Sequence, residues 1–476
     1  MTTACSRIDG HRKLDGSARD LFNPADLDHQ IGELILAGPA EAMRAMDGAE
    51  ACAVDWRTRP LNQRMGILER ALEFVAARRE EIAAGLTLEN GKTLREARAE
   101  VDGALRDGRY QLEFIAKQGI SEGPVTAETR FAPLGVLALI TPWNFPLATI
   151  IRKLVPALAL GNTVVVKASE ITPLTACRLW ECLESAGLPR GTAQLILGEG
   201  PVVGPAILSH RALRAVSFTG STTTGQAIAR AVGGRPVRLQ LEMGGKNALV
   251  VLEDADLSAA VDAVAFAGFS VAGQWCTSTS RVIVAESVYD TFVDRLRAKA
   301  SEIVVGDGRR ESTMMGPVVS GTQHAKVKAS IAEARAGSAQ LLAGGGTPER
   351  VDNSRGWWVE PTVFGGVEAD TDLARTEIFG PVLALLSARD ADHALTLAND
   401  SEYGLAFSVY TSDPETAERF VDEVEVGVTH INLPTSYREP AYGLTGWGAS
   451  GFGVPEAGGH ARDFYTKPRV IYRASW

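Results

Sequence analysis

The sequence predicts an α/β protein built on doubly wound parallel sheets, and three observations carry that prediction. Between Gly135 and Leu241, five short apolar or β-branched runs alternate with helical patterns. After Gly244-Gly245 a second alternation begins with a strand from Ala248 to Leu252 and a small-residue helix. At 476 residues the chain exceeds one ordinary core and should divide into two or three domains.

Taken in order, Arg7 to Leu36 reads as irregular, with a turn at Asn23-Pro24. Apolar residues at Leu68, Leu72, Val75 and Ala76 give Leu61 to Gly85 an amphipathic helical spacing. Asn90-Gly91 breaks it, and Thr93 can cap a second helix running to about Lys117. The interval Gly119 to Thr129 is polar. Val136 to Ile140 then reads as a buried strand, Leu147 to Leu160 as a helix and Thr163 to Lys167 as a strand. A helix from Thr172 to Ala186 ends at Gly187-Leu188-Pro189. Gln194 to Leu197, Ala215 to Thr219 and Val237 to Leu241 are strands, separated by helices at Pro201 to Ser209 and Ser221 to Ala231. Ligands of such sheets bind beyond the carboxyl ends of the strands. In the second unit a helix from Leu257 to Ala272 leads directly to Cys276, and strand and helix patterns continue to about Ile431. Gly443 to Gly459 reads as a close-packed glycine-rich loop, and Phe464 to Tyr472 as a terminal strand.

Composition narrows the partners. Hydrophobic residues make up 45% and charged residues 22%, as in a soluble globular protein. The net charge of −10 is spread over interleaved acids and bases, so no nucleic-acid footprint is expected. Asp262 interrupts the apolar run Leu257 to Gly273, and Arg152 and Lys153 interrupt Leu147 to Leu160, so no membrane span is expected. Met1 to Cys5 lacks a signal-peptide pattern. Five cysteines without metal-type pairing read as free thiols in a reducing cytoplasm, with no metal site.

Chemistry enters with Cys276 in Gly273-Gln274-Trp275-Cys276-Thr277 and Glu242 in Leu241-Glu242-Met243-Gly244-Gly245-Lys246. A thiol nucleophile and a carboxylate base suffice to make and hydrolyse a thioester. A cysteine before threonine is also commonly a buried small hydrophobe. In Thr141-Pro142-Trp143-Asn144-Phe145-Pro146 a rigid turn can hold an amide donor where an oxyanion develops, although a plain turn Asn fits as well. Lys167-Ala168-Ser169-Glu170 ends a strand, where a carboxylate can accept ribose hydroxyls or simply form a solvated pair with lysine. Phe218 to Gly225 joins a strand to a helix N-terminus suited to pyrophosphate, but it matches neither usual phosphate fingerprint, and a tight turn with a Ser221 cap explains it too. Glu377-Ile378-Phe379-Gly380-Pro381 can offer a carboxylate to a second ribose and a ring to a nicotinamide, or be an ordinary loop. Singly these signals are weak; their joint order is specific.

From about Asn23 to Tyr472 these residues resemble the aldehyde dehydrogenase superfamily. The family's amide motif matches Thr141 to Pro146, its ribose motif Lys167 to Glu170, and its glycine turn Gly220 to Gly225. Its general-base motif matches Leu241 to Lys246, its nucleophile motif Gly273 to Thr277, and its second cofactor motif Glu377 to Val382. The resemblance implies an aldehyde dehydrogenase-like fold of two doubly wound α/β domains plus a small β oligomerisation element. Residues 1–113 and 133–243 would bind the dinucleotide, 244–445 form the catalytic domain, and 114–132 with 446–476 the oligomerisation element. It further implies Cys276 as nucleophile, Glu242 as general base, and Asn144 with the Cys276 backbone N–H as the oxyanion hole. Thr141, Trp143, Lys167, Ser169, Glu170, Gly220, Ser221, Gly225, Glu377 and Phe379 would surround the cofactor. The implied reaction is NAD(P)-dependent oxidation of an aldehyde to its acid through a thiohemiacetal and a thioester, with a depressed thiol pKa at Cys276. Glu170 should repel a 2′-phosphate and favour NAD, while some relatives with this residue accept NADP by turning it aside. The resemblance also implies a homodimer or homotetramer, and the short interdomain interval favours the dimer of the two.

For the substrate, the resemblance puts Phe145, Arg152, Trp275 and Thr277 along its path. Arg152 follows Asn144 by eight residues, where some semialdehyde-oxidising members carry an arginine that pairs with a distal carboxylate. Thr429 to Thr435 and Gln240 to Met243 resemble the 2-oxoglutarate-semialdehyde branch. Ser270 stands where succinate-semialdehyde members often have a second arginine, and Trp275 with the Trp447 loop favours an aromatic or bulky apolar aldehyde. A CoA-acylating dehydrogenase does not need Glu242, and a non-catalytic member does not need Cys276, Glu242 and Asn144 together.

Overall fold

The computed structural model describes residues 2–124, 126–349 and 351–474. Five parallel strands form the centre of the first sheet, in the spatial order Arg238–Glu242, Leu213–Thr219, Val136–Ile140, Thr163–Ala168 and Ala193–Leu197. Side chains alternate across it. Leu137, Leu139, Val164 and Val166 pack under the helices Ala148–Ala159 and Pro173–Ser185. Val136, Ala138, Val165 and Ile196 face the helices Pro39–Thr58, Gly200–Ser209 and Thr222–Val232. Both faces are thus covered, which is why these strands read as unbroken apolar runs. Strand order reverses between Val136–Ile140 and Leu213–Thr219, and the Asn144 loop and Gly220 turn emerge there, beyond the strand ends.

The second sheet runs in the order Gln340–Ala343, Thr362–Gly365, Val382–Ala388, Arg281–Ala285, Ala248–Val251, Ala406–Tyr410 and Val428–Ile431. Only its first pair is antiparallel. A separate apolar core surrounds it, including Phe292, Phe364, Phe407 and Phe420. Thr466–Tyr472, Ala127–Pro133 and Ser121–Glu122 make a small antiparallel sheet. Among the described residues no helix is long and apolar enough to cross a membrane.

Three expectations need correction. Arg7 to Leu36 is not irregular: Arg7–Ile8 and His11–Arg12 extend the first sheet antiparallel, and Ala18–Asn23 pairs with Asp26–Ile35. Arg7–Ile8 and His11–Arg12 are only two residues each, and Ala18–Asn23 and the ten-residue Asp26–Ile35 mix polar and apolar residues without the regular alternation that announces a strand. Leu61 to Gly85 is two helices, Leu61–Ala77 and Arg79–Asn90, preceded by the unanticipated Pro39–Thr58. The helix before the thiol ends at Phe269, and Val271, Ala272 and Gly273 are left-handed, with φ of 54°, 53° and 67°. The segments on either side of the small sheet are arranged as follows. The helix Leu94–Gln118 runs past residue 114, and Gly451–Gly453 pairs with Arg238–Glu242 in the first sheet. The helix Ala461–Tyr465 packs on Ala148–Ala159, so only Thr466–Tyr472 of this tail joins the small sheet.

Candidate active site

A buried ion pair shapes the amide loop. Lys92 Nζ donates to Glu100 Oε2 at 2.5 Å and to the Asn144 carbonyl at 2.7 Å, and neither charged side chain is exposed. Glu100 Oε1 accepts from the backbone N–H groups of Leu147 and Ala148 at 2.9 and 3.2 Å. Buried charges are tolerable when hydrogen-bonded as fully as this. Asn144 Nδ2 then donates to the Gln274 carbonyl at 2.9 Å. An amide nitrogen carries two hydrogens, so one remains for an oxygen in the cavity.

The thiol loop is strained and clamped. Left-handed backbone costs roughly 1–3 kcal/mol at each non-glycine residue and persists only where the surroundings enforce it. Here Glu96 Oε1 accepts from Val271 N at 2.7 Å while its other oxygen completes the Thr93 capping box. Gln274 Nε2 donates to the Val271 carbonyl at 2.9 Å, and Gln274 Oε1 accepts from Val319 N at 2.9 Å. At Gly273 a Cβ would lie 2.2 Å from the Gly380 carbonyl oxygen, so only glycine fits. Downstream, Asn247 Nδ2 donates to the Cys276 and Ser278 carbonyls at 2.8 Å each, and Thr435 Oγ1 donates to the Thr277 carbonyl at 2.7 Å. The expected depression of the thiol pKa is reversed. Burial pushes Cys276 up to about 12, Glu377, Glu242 and Glu456 add to the rise, and Arg152 opposes it.

Glu242 ends its strand with a buried carboxyl whose Oε2 has no hydrogen-bond partner. Burial and the charge of Glu456 hold its pKa well above the usual carboxylate range, against Lys153 and Arg152. It does not line the main cavity. Behind it lies a group the motif reading missed. Lys153 is ion-paired with Glu456 and donates to Ser217 Oγ at 2.9 Å, and Ser217 Oγ donates to Gln240 Oε1 at 2.7 Å. Burial alone would raise Glu456, but Lys153 and Arg152 leave its pKa lowered. Lys153 and Glu456 stand 303 positions apart. The available signal was a lysine inside an otherwise apolar helix.

On the cofactor side, Glu377 lies over two glycines. Gly245 N donates to Glu377 Oε1 at 3.1 Å, and a Cβ on Gly244 would come within 2.4 Å of Oε2. Phe379 is itself left-handed, φ 58°, and its ring meets Trp143 edge-on at 5.3 Å. Ser221 caps the helix Thr222–Val232, accepting from Thr224 N at 3.3 Å, while Gly225 leaves room for Met243 Sδ, 2.4 Å from where a Cβ would sit. Lys167 Nζ donates to Glu170 Oε2 at 2.6 Å at the neighbouring strand end. Thr141 has a buried, unpartnered hydroxyl, and Ser169 Oγ accepts from Ile171 N at 3.2 Å. Thr141, Lys167, Ser169, Glu170 and Gly225 do not line the main cavity. A carboxylate near each end, a helix N-terminus between them and glycines with no space for a Cβ suit a dinucleotide.

A single cavity of about 1340 Å³ joins the two sides. Trp143, Gly220, Ser221, Glu377 and Phe379 line one side, and Phe145, Arg152, Trp275 and Thr277 the other, with Asn144 and Cys276 on its wall. Phe145 and Trp275 pack at 4.9 Å. Arg152 does not stand free as expected: Nε donates to Asp107 Oδ2 at 3.0 Å, and Nη1 lies 3.6 Å from Glu456 Oε1. Trp447 is 51% exposed and outside the cavity, so it does not supply an aromatic wall. An electrophilic carbon held beside Cys276 would have an amide donor and a dinucleotide cleft within one enclosure, the requirements for covalent redox chemistry on a carbonyl.

Comparison with known proteins agrees with this geometry. The profile of the aldehyde dehydrogenase family matches residues 12–471. The chain is 40% identical over 471 residues to the 2,5-dioxopentanoate dehydrogenase of Saccharolobus solfataricus, covering 96% of this chain and 97% of that protein. It is 36% identical over 466 residues to the alpha-ketoglutaric semialdehyde dehydrogenase of Bacillus subtilis, covering 97% and 96%. A crystal structure of betaine aldehyde dehydrogenase from Staphylococcus aureus in complex with NAD+ superposes with a TM-score of 0.94 at 32% identity, covering 98% of this chain and 94% of that one.

Proposed function

This chain belongs to the aldehyde dehydrogenase family and is an NAD(P)-dependent oxidoreductase that converts aldehydes to acids; on that premise we propose that its substrate is the semialdehyde of a carboxylic acid. The observation that carries the reading is Arg152, a guanidinium that lines the same cavity as Cys276 and lies within electrostatic reach of the thiol. Two relatives named for semialdehydes of keto acids, at 36% and 40% identity, support the same class.

The chemistry assigned to the residues is as follows. Cys276, as thiolate, adds to the aldehyde carbon, and the resulting oxyanion takes the free hydrogen of the Asn144 amide. The Gly220 turn and Glu377 would hold a dinucleotide, which when bound would accept the hydride lost from the substrate carbon. Collapse of the oxyanion leaves a thioester on Cys276. Glu242 then removes a proton from water, which attacks the thioester and releases the acid. A carboxyl raised by burial is a stronger base once ionised, and Lys153 and Arg152 favour that ionised form. Glu242 also argues for water rather than CoA as acyl acceptor.

Glu170 favours NAD over NADP. Residues 1–113 and 133–243 are assigned to dinucleotide binding and 244–445 to catalysis, and a reducing cytoplasm suits the five free thiols. The strand Thr466–Tyr472 pairs on one side only and exposes Val470 and Tyr472, which suits a homo-oligomeric contact. The test is a 340 nm assay with NAD, comparing a short ω-carboxy aldehyde with its uncharged analogue, and repeating both with Arg152→Ala. The parent protein should prefer the ω-carboxy compound at least about tenfold in kcat/KM, and the variant should lose that preference. A second reading, a bulky apolar aldehyde, draws on the Phe145–Trp275 pair. Preference for an aromatic aldehyde in the same assay would select it.

A further inference from the structure

We propose that Arg438 is a specificity-determining residue whose guanidinium, with Arg152, forms the cationic end of the cavity that takes the substrate's distal carboxylate. This rests on the semialdehyde reading above and adds to it a residue that no motif singled out.

Arg438 sits on the loop after Val428–Ile431, where His430 Nε2 lies 3.0 Å from the Tyr437 carbonyl and fixes the preceding residue. Its Nη1 donates to both oxygens of Asp107, at 2.9 and 2.8 Å, while Arg152 Nε donates to the same carboxylate. Two guanidiniums therefore share one carboxylate. Arg152 also lies 3.6 Å from Glu456 Oε1, but that carboxylate is already ion-paired with Lys153. Neighbouring acids do not close the gap. Glu242 makes no hydrogen bond or ion pair with either guanidinium, its Oε2 being unpartnered, Glu96 is bound to Thr93 and Val271, and Glu439 accepts from the exposed Tyr437 hydroxyl at 2.6 Å.

A buried cation without an anion is unfavourable, and a wall with an excess positive charge favours an anionic ligand. Arg438 shows where such a ligand belongs. Its Nε and Nη2 are buried without an acceptor, although the side chain lines the cavity that reaches Cys276. Those two nitrogens form the side-on edge of the guanidinium, the edge that holds a carboxylate through two parallel hydrogen bonds. With Nη1 anchored on Asp107, that edge is pre-oriented. A residue that merely neutralised Asp107 would leave those two buried N–H groups without an acceptor, at a cost that a bound carboxylate would relieve.

The experiment compares the parent protein, Arg438→Met and Arg438→Lys on a short ω-carboxy aldehyde and its uncharged analogue at saturating NAD. Inhibition by glutarate, a dicarboxylate that is not turned over, is measured in parallel. Arg438→Met should raise KM for the ω-carboxy aldehyde about 10- to 100-fold, leave kcat within about threefold, and barely change the uncharged analogue. Arg438→Lys keeps the charge without the edge and should recover part of that loss, and glutarate inhibition should weaken in the same order. Equal changes for both aldehydes in either variant would reduce Arg438 to a structural role and overturn the proposal. If Arg438→Met does not fold, an unchanged KM in Arg438→Lys overturns it as well. A parent protein with no preference for the ω-carboxy compound sinks the semialdehyde reading and this one together. A preference that survives in the variants sinks only this one.

Discussion

The Asn144 amide nitrogen lies 2.9 Å from the main-chain oxygen of Gln274, tying the loop after the first sheet's central strand to the loop that carries the thiol. The amide proposed as oxyanion donor and the loop of the proposed nucleophile are thereby held in register. Asn144→Ala should lower kcat by about 10²- to 10³-fold with little change in KM. The Gln274 carbonyl loses its donor, so stability should fall by about 1 kcal/mol. Steady-state kinetics and a urea melt separate the two effects, and an unchanged kcat would remove Asn144 from the oxyanion hole.

The thiol prediction concerns pH. Burial holds Cys276 at about 12, and only the thiolate attacks an alkylating agent. In the cofactor-free protein, inactivation by iodoacetamide should quicken about tenfold per pH unit between pH 7 and pH 10. A plateau beginning below pH 8 would mean that the thiolate is stabilised by a contact absent from the structure described above. Cys276→Ser should abolish both the alkylation and the dehydrogenase activity.

Glu456 neutralises Lys153 in a site that water does not reach. Its folded pKa is lowered, so its contribution to stability is complete above its unfolded pKa and is lost as pH falls through the folded value. Glu456→Gln should therefore destabilise the protein by about 3 kcal/mol at pH 7. The difference from the parent should shrink on acidification below pH 4.5, the ordinary carboxyl value. Urea midpoints at pH 7 and in that acidic range provide the comparison. A difference that is the same at both would contradict the ion pair.

Glu170 is bound by Lys167 at 2.6 Å. Removing the carboxylate frees that ammonium for a 2′-phosphate. Glu170→Gln should shift the NAD-to-NADP ratio of kcat/KM toward NADP by about tenfold, roughly the worth of one charged contact. No shift would place the ribose elsewhere.

Gly273 faces the Gly380 carbonyl with no room for a Cβ and has φ of 67°. Gly273→Ala must move one of two loops, those of Cys276 and of Phe379. We expect a loss of about 3 kcal/mol or more in stability, with activity falling further than unfolding alone explains. A variant that matched its parent in both would show these loops to be pliable.

Legibility in the sequence followed physical cause. Strands covered on both faces, such as Thr163–Ala168, are continuous apolar runs and could be placed within a residue or so. Helices with a capping signal, such as Leu94–Gln118 behind Thr93, were equally plain. The edge strands before Ile35 were not, because polar two- and six-residue pieces acquire their structure only from their neighbours. The left-handed turn at Val271 and Ala272 was hidden for a related reason: no local preference of valine or alanine favours it. Of the site, residues grouped in short motifs were legible as candidates. Lys153, Glu456, Asp107 and Arg438 were not, since what joins them is a contact between segments far apart in sequence.

The strand Gly451–Gly453 closes the first sheet beside Arg238–Glu242, and Glu456 lies three residues beyond its end. A polypeptide emerging from the ribosome has its thiol, amide and dinucleotide turn well before that strand, yet lacks the counter-ion that Lys153 and Arg152 require. The buried pair of Lys153 with Glu456 therefore forms only after residue 456 has been made, 303 positions after its lysine.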